Sequence, residues 1–207
     1  MAEMIIEARD VTVELAGAVV LDGVDLAAGR GEIVAVAGDN GAGKTTLLRC
    51  LAGLQPRAAG EVGVLGRPPA DAPDFWRDVA LVGDEPAWYP GLSVLEHLEL
   101  MASVHDGARM GAEEALEPFG LTGRRDMAPV AMSTGQRQRL SLAMALLRPS
   151  RVLLLDEPER GLDAAFRMRL ASILAAYAAA GGTVVMATHD PAMAKAAGAR
   201  LVRLEAA

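Results

Sequence analysis

The sequence predicts an α/β fold with a mainly parallel sheet at its centre. Short apolar runs such as 33–36 and 152–155 alternate with longer segments of helical pattern, as in proteins whose sheet is covered by helices. Of the 207 residues, 52% are hydrophobic, which suffices for one sizeable core. A single domain spanning residues 1–207, with one inserted part, is therefore expected.

Antiparallel strands are predicted at the start of the chain. Apolar residues alternate at Val11, Val13 and Leu15, and a second apolar run covers 19–24. This alternation is typical of strands with one buried face. The next run, 33–36, is short, β-branched and apolar on both sides, which indicates a buried parallel strand.

A glycine-rich segment joins that strand to a helix predicted at about 44–54. Residues 38–45 match G-x-x-x-x-G-K-[ST] between a strand and a helix, the context that this phosphate-binding motif requires. Lys44 is one of two lysines beside 18 arginines, which favours a role for a compact charge between phosphates. The Thr45 hydroxyl is predicted to bind Mg²⁺. The residues expected to contact the phosphates are Gly38, Asp39, Asn40, Gly41, Ala42, Gly43, Lys44, Thr45 and Thr46.

A helical insertion is predicted in the middle of the chain. A strand is expected at 79–82, but the segment 86–132 has no strand signal and favours helices at 93–104 and 112–119. Ser133 is typical of a helix N-cap. The later elements are predicted as helices at 134–147, 164–179 and after Pro191, and as strands at 152–155, 183–187 and 201–204.

Two acids follow the apolar strand at 152–155. Because open α/β sheets bind ligands at the carboxyl ends of their strands, Asp156 and Glu157 are expected at the ligand edge. We predict that Asp156 holds Mg²⁺ through water and that Glu157 polarises an attacking water. A polar exit turn of the strand is the alternative, and the glycine-rich loop nearby favours the role in the site. The loop alone does not separate ATPases, GTPases and kinases.

Composition limits the partners and the compartment. The formal net charge is −7 and no basic run stands out, so no nucleic-acid partner is expected. The single cysteine, Cys50, excludes an internal disulfide framework. The N-terminal sequence does not have the pattern of a signal peptide, and no stretch of about 18 apolar residues is present. We therefore expect a cytoplasmic protein that reaches a membrane through a partner.

Three further motifs indicate a family. Residues 132–139, M-S-T-G-Q-R-Q-R, resemble the L-S-G-G-Q signature of ATP-binding-cassette (ABC) ATPases. Gly161-Leu162-Asp163 resembles the family's D-loop, and Thr188-His189-Asp190 resembles its switch histidine. The resemblance covers essentially the whole chain. It implies a P-loop NTPase (RecA-like) core at 1–85 and 133–207, with an N-terminal antiparallel β subdomain and an inserted α-helical subdomain at 86–132.

The resemblance also implies an activity and partners. Two subunits, identical or different, would meet head to tail around two Mg-ATP, with Glu157 and His189 as the catalytic residues of each site. Ser133 and Gly135 would face the γ-phosphate of ATP bound to the other subunit, and Gln136 and Asp163 are also expected to contact nucleotide. The pair would drive a separate integral membrane permease from the cytoplasmic face. An ABC ATPase of DNA repair, translation or iron–sulfur assembly is the alternative, whereas a kinase or GTPase leaves the signature unexplained.

The sequence departs from the family pattern at three positions. Leu15 falls where an aromatic residue often stacks on adenine, Asp84 falls where a glutamine is usual, and Thr134 replaces the first signature glycine. We expect Asp84 to contact the metal, with Glu85 as an alternative occupant of that place and a cap of the turn before Pro86 as an alternative role for Asp84. Four aromatic residues flank Asp84, where the family receives its membrane subunit, although packing of the insertion onto the core is an alternative role for them: Phe75, Trp76, Trp88 and Tyr89.

Overall fold

Two β-sheets form the framework of the protein. The computed structural model describes residues 3–83, 88–105 and 107–206, and within them one sheet has three strands and the other has five. Helices cover the five-stranded sheet, which is parallel throughout. The predicted α/β class with a parallel centre is confirmed.

The three-stranded sheet is antiparallel and contains longer strands than predicted. Strand β1, Met4–Leu15, pairs with β2, Ala18–Gly29, on one side and with β4, Ala59–Val64, on the other. Register shifts interrupt the β1–β2 pairing, one of them beside Asp10, whose φ is +51°. These bulges break the alternation of apolar residues, so the pattern revealed only part of each strand. Strand β4 was missed because Gly60 and Gly63 weaken its strand signal.

The parallel sheet brings its strands together in the order β5, β6, β7, β3, β8. These strands are Val79–Val82, Val152–Asp156, Thr183–Ala187, Ile33–Ala37 and Arg200–Arg203. The three central strands are almost entirely buried, as expected where helices cover both faces. The prediction for the last strand, 201–204, was one residue late. Leu204 lies just after the strand, although its N–H still donates to Ala37 O of the neighbouring β3.

Seven helices lie among the described residues, and most agree with the predictions. They are α1 Lys44–Leu51, α2 Pro73–Asp78, α3 Val94–Val104, α4 Ala112–Leu116, α5 Thr134–Leu147, α6 Ala164–Ala179 and α7 Pro191–Ala196. Helix α1 ends before the predicted Leu54 because Gly53, with φ of +74°, turns the chain, and Leu54 N–H bonds back to Arg49 O. Helix α4 ends at Leu116 rather than 119, because Leu121 N–H returns to Leu116 O. Helix α2 was not predicted, because it is too short for a helical pattern of apolar residues to be visible in the sequence.

The chain between β5 and β6 is helical where it is described. Helices α3 and α4 pack against α5, and two short 3₁₀ turns, Thr122–Arg124 and Pro129–Ala131, lie between α4 and α5 along the chain. Their shared core includes Val94, Leu98 and Leu140. No strand lies in the described part of 86–132, as predicted, while the subdomain boundaries at 86 and 132 stay a prediction. No helix in the described ranges is long and apolar enough to cross a bilayer.

The four aromatic residues divide into two pairs. Phe75 is buried and meets Trp76 edge to face at 5.6 Å between ring centroids, so this pair packs within the protein. Trp88 packs against the helical core, and Tyr89 is 58% exposed. His97 is wholly buried, and its Nε2 accepts the Tyr89 N–H at 3.1 Å. The backbone of the exposed Tyr89 is therefore held to α3 by a buried imidazole.

Candidate nucleotide-binding site

Three loops meet at one edge of the parallel sheet. They follow β3, β6 and β7, and they carry the glycine-rich segment, the pair of acids and the predicted switch histidine, respectively. Because β7 lies between β6 and β3, its exit loop lies between the other two. The topology thus gathers the motifs from residues 38–45, 156–157 and 188–190 into one region, as the rule for ligand sites in open sheets predicts.

The glycine-rich loop wraps around the Lys44 side chain. Lys44 is 7% exposed, and its Nζ donates to Gly38 O at 2.8 Å and to Asp39 O at 2.9 Å. Gly43 precedes α1 with a φ of +88°, and a Cβ there would lie 2.5 Å from Leu21 Cδ2. Only glycine fits this position. The ammonium group and the start of α1 therefore share one positively polarised pocket, which suits phosphate oxygens.

Thr45 and Asp156 are in direct contact. The Thr45 hydroxyl donates to Asp156 Oδ2 at 2.6 Å, across 111 residues of sequence. Hard oxygen ligands of this kind are those that Mg²⁺ prefers, usually one or two from the protein with the rest from water and substrate phosphates. Within the described ranges, no three His, Cys, Asp or Glu side chains form a metal cluster, and two oxygens beside a phosphate loop fit that mode of binding. Asp84, the third predicted metal contact, lies outside the described residues.

Glu157 and His189 face each other at the ends of β6 and β7. His189 Nε2 lies 3.5 Å from Glu157 Oε1, and the two side chains are 42% and 41% exposed. Glu157 has a φ of +45°, a left-handed conformation that is uncommon for a residue with a side chain. Its N–H donates to Ala187 O at 2.9 Å, so the turn is fixed to the end of β7. Strained backbone of this kind is frequent at functional sites.

The signature residues begin α5 with a capping box. Ser133 Oγ accepts the Gln136 N–H at 3.3 Å, and Gln136 Oε1 accepts the Ser133 N–H at 3.0 Å. Gly135 lies against the backbone of Gly161, so that a Cβ at Gly135 would collide with the Gly161 carbonyl oxygen. Gly135 thus contacts the loop after β6. None of these three residues forms a hydrogen bond or ion pair with Lys44 or Thr45.

Asp163 is engaged within its own chain. Its Oδ1 accepts the Phe166 N–H at 2.8 Å as the N-cap of α6, and its Oδ2 pairs with Arg139 at 2.5 Å. The hydrogen bond from Phe166 is the main cause that lowers the pKa of Asp163. The Arg139 guanidinium also lies 4.1 Å from the centroid of the Phe166 ring. The nucleotide contact predicted for Asp163 stays a prediction, and Arg139 is a partner that the sequence analysis did not single out.

Fold and site together define a P-loop nucleotide-binding protein. Residues 21–160 match the sequence model of a family described as ABC transporter. The chain belongs to this family and is one of its ATP-binding subunits, an ATPase.

Relatives and solved structures cover nearly the whole chain. The cytochrome c biogenesis ATP-binding export protein CcmA of Mesorhizobium japonicum is 39% identical over 86% of this chain and 88% of its own length. The aliphatic sulfonates import ATP-binding protein SsuB 1 of Pseudomonas fluorescens is 41% identical over 89% of this chain and 67% of its own. A dimeric ATP-binding cassette in a post-hydrolysis state with ADP and Pi superimposes with a TM-score of 0.84 at 28% identity, over 97% of this chain and 96% of that one.

Proposed function

We propose that this chain binds Mg-ATP at the loops after β3, β6 and β7, and that its hydrolysis drives a separate membrane permease. The observation that carries the proposal is that two pairs of side chains lie together at the sheet edge that carries the phosphate loop. Thr45 and Asp156 lie 2.6 Å apart, and Glu157 and His189 lie 3.5 Å apart. One pair suits a metal and the other suits a water, as hydrolysis of a phosphoanhydride requires.

Each side chain has a distinct task in this proposal. Lys44 and the N–H groups of 38–46 hold the β- and γ-phosphates, while Thr45 and Asp156 hold Mg²⁺, which neutralises charge on the phosphates. Glu157 orients the water and accepts its proton. His189 contacts the γ-phosphate and steadies Glu157 at the distance seen between them.

Two subunits are needed for a complete site in this proposal. Ser133, Gly135 and Gln136 open α5 and offer backbone N–H groups at a helix start, which is a second anion site. They form no hydrogen bond or ion pair with Lys44 or Thr45 of the same chain, so we assign them to ATP held by the other subunit. The superimposable dimeric cassette supports this assignment.

A permease is the proposed recipient of the energy. The relatives described above are named as export and import ATP-binding proteins, which supports transport and leaves its direction open. Tyr89 offers an exposed ring beside the half-buried Trp88, and we assign this pair to the permease contact. The subunit would then act at the cytoplasmic face of the membrane, without a nucleic-acid partner.

Replacement of Lys44 tests the nucleotide site. Lys44→Ala removes a charge-assisted donor, and hydrogen bonds to charged groups are worth about 1.5–3 kcal/mol. We expect ATP binding to weaken roughly tenfold to a hundredfold. Titration calorimetry with ATP measures the change, with a thermal melt to confirm folding.

Lys195→Ala is the matched control for that experiment. Lys195 is the other lysine of the chain and is exposed on α7. Its replacement should leave the ATP affinity unchanged. Equal losses of affinity in both variants would mean that Lys44 does not contact the phosphates.

A further inference from the structure

A third carboxylate enters the site from the loop that carries Glu157. Glu159 is half-buried, and its Oε1 accepts a hydrogen bond from the backbone N–H of His189 at 2.7 Å. Its Oε2 is also buried and has no hydrogen-bond donor among the described residues. The side chain therefore lies between two loops and contacts the backbone of the predicted switch residue.

We propose that Glu159 is a positioning residue for His189. Its carboxylate fixes the backbone of the loop after β7, and through that backbone it keeps the imidazole beside Glu157. The inference rests on the proposed function, because it assumes that His189 takes part in hydrolysis. Glu159 itself forms no hydrogen bond or ion pair with Lys44 or Thr45.

The other hydrogen bonds of this loop restrain the residues on either side, since the Thr188 N–H donates to Val36 O at 3.2 Å. Asp190 caps α7 by accepting the Met193 N–H at 2.9 Å, and it forms an ion pair with Arg167 at 3.1 Å. Asp190 N–H in turn donates to Thr188 Oγ1 at 3.0 Å. The His189 N–H itself donates to Glu159. The orientation of the backbone at residue 189 therefore depends on that carboxylate.

Glu159 also links the backbone of His189 to the turn that carries Glu157. The two loops are joined at two points, by Glu157 N–H to Ala187 O at 2.9 Å and by His189 N–H to Glu159 Oε1 at 2.7 Å. The loop after β6 is itself a tight turn, since Arg160 N–H donates to Glu157 O at 3.0 Å. A displacement of this turn therefore carries the backbone of His189 with it.

Three substitutions separate a positioning role from a direct electrostatic role. Glutamine keeps the length of the side chain and an oxygen that accepts the His189 N–H, but it removes the charge. Aspartate keeps the charge but is one methylene shorter, and alanine removes both. If Glu159 positions His189, then Glu159→Gln should keep the wild-type rate of hydrolysis, while Glu159→Asp and Glu159→Ala should be slower.

Steady-state ATP hydrolysis in the presence of Mg²⁺ is the test. We expect kcat to fall about tenfold in Glu159→Ala and Glu159→Asp, the scale of one lost hydrogen bond to a charged group. The KM for ATP should stay within about twofold, because the phosphate contacts are unchanged. Glu159→Gln should stay near the wild-type rate. In a double-mutant cycle, Glu159→Ala should cause no further loss once His189→Ala is present.

Two results would overturn the inference. The first is a Glu159→Gln variant as slow as Glu159→Ala, which would assign the effect to charge. The second is a double variant whose losses multiply, which would mean that Glu159 acts independently of His189. Each variant is compared by its thermal melt and its affinity for ATP, and Glu159→Asp replaces Glu159→Ala if the latter fails to fold.

The His189→Ala variant separates this inference from the proposed function. If His189→Ala hydrolyses ATP at the wild-type rate, the proposed role of His189 is wrong and the inference fails with it. If His189→Ala is slow while Glu159→Ala and Glu159→Asp keep the wild-type rate, only the positioning role of Glu159 is contradicted.

Discussion

Replacement of Glu157 with glutamine should slow ATP hydrolysis at least about 10²-fold, the usual scale for a positioned general base. Glutamine fills the same space beside His189 but cannot accept a proton from the water. The phosphate and metal contacts at Lys44, Thr45 and Asp156 are untouched, so ATP should still bind. Because ATP then persists at the interface proposed between two subunits, the variant should accumulate as a dimer.

Phosphate release and size-exclusion chromatography with Mg-ATP measure these two effects. Glu61→Gln is a suitable control, because Glu61 is an exposed glutamate on β4, away from the three loops. It should retain the wild-type rate and remain monomeric. Turnover of Glu157→Gln close to that of the wild type would remove Glu157 from its proposed role.

The Gly135→Ala variant should also lose about 10²-fold in hydrolysis, the scale of a lost anion-stabilising donor. Its added methyl group would collide with the carbonyl oxygen of Gly161, so the start of α5 must move away from the loop after β6. Two neighbouring contacts between the same elements would be strained, namely Gln138 to Pro158 O at 3.3 Å and Arg139 to Asp163 at 2.5 Å. This shift would displace the anion site that the start of α5 is proposed to offer to ATP of the other subunit.

ATP binding should survive in Gly135→Ala, because the phosphate loop lies on different elements. Nucleotide titration and ATPase assays therefore separate the two effects. Gly123→Ala is the matched control: Gly123 lies in the helical segment between β5 and β6, and a Cβ there meets nothing within 4 Å. If Gly135→Ala hydrolyses ATP as fast as Gly123→Ala, the signature helix has no part in hydrolysis.

Much of the site could be predicted because its residues follow strong local patterns. Asp156 follows the apolar run 152–155. Because a buried parallel strand places its C-terminal residues at the ligand edge of the sheet, the position of Asp156 could be predicted without knowledge of the other elements. The glycine-rich loop before Lys44 and the capping residue Ser133 are likewise local signals. The structure agrees with them, since Thr45 contacts Asp156, and Ser133 caps α5.

The parts that could not be predicted depend on contacts between distant elements. Strand β1 continues through bulges that only its partners β2 and β4 stabilise. The pairing of Arg139 with Asp163 joins two helix starts, and that of Glu159 with His189 joins two loops. The two members of each pair lie on different elements, so neither periodicity nor a single motif reveals the contact. In the proposed function, the motifs supply the catalytic groups, and the contact between Glu159 and His189 positions one of them.

The head-to-tail site is tested most directly by mixing two inactive variants. In a dimer of one Gly135→Ala subunit and one Glu157→Gln subunit, one of the two sites combines an unaltered Glu157 with an unaltered signature helix. With random pairing, the equimolar mixture should recover about a quarter of the wild-type ATPase activity, although each variant alone is nearly inactive. A mixture no more active than its separate components would contradict a site shared between two subunits.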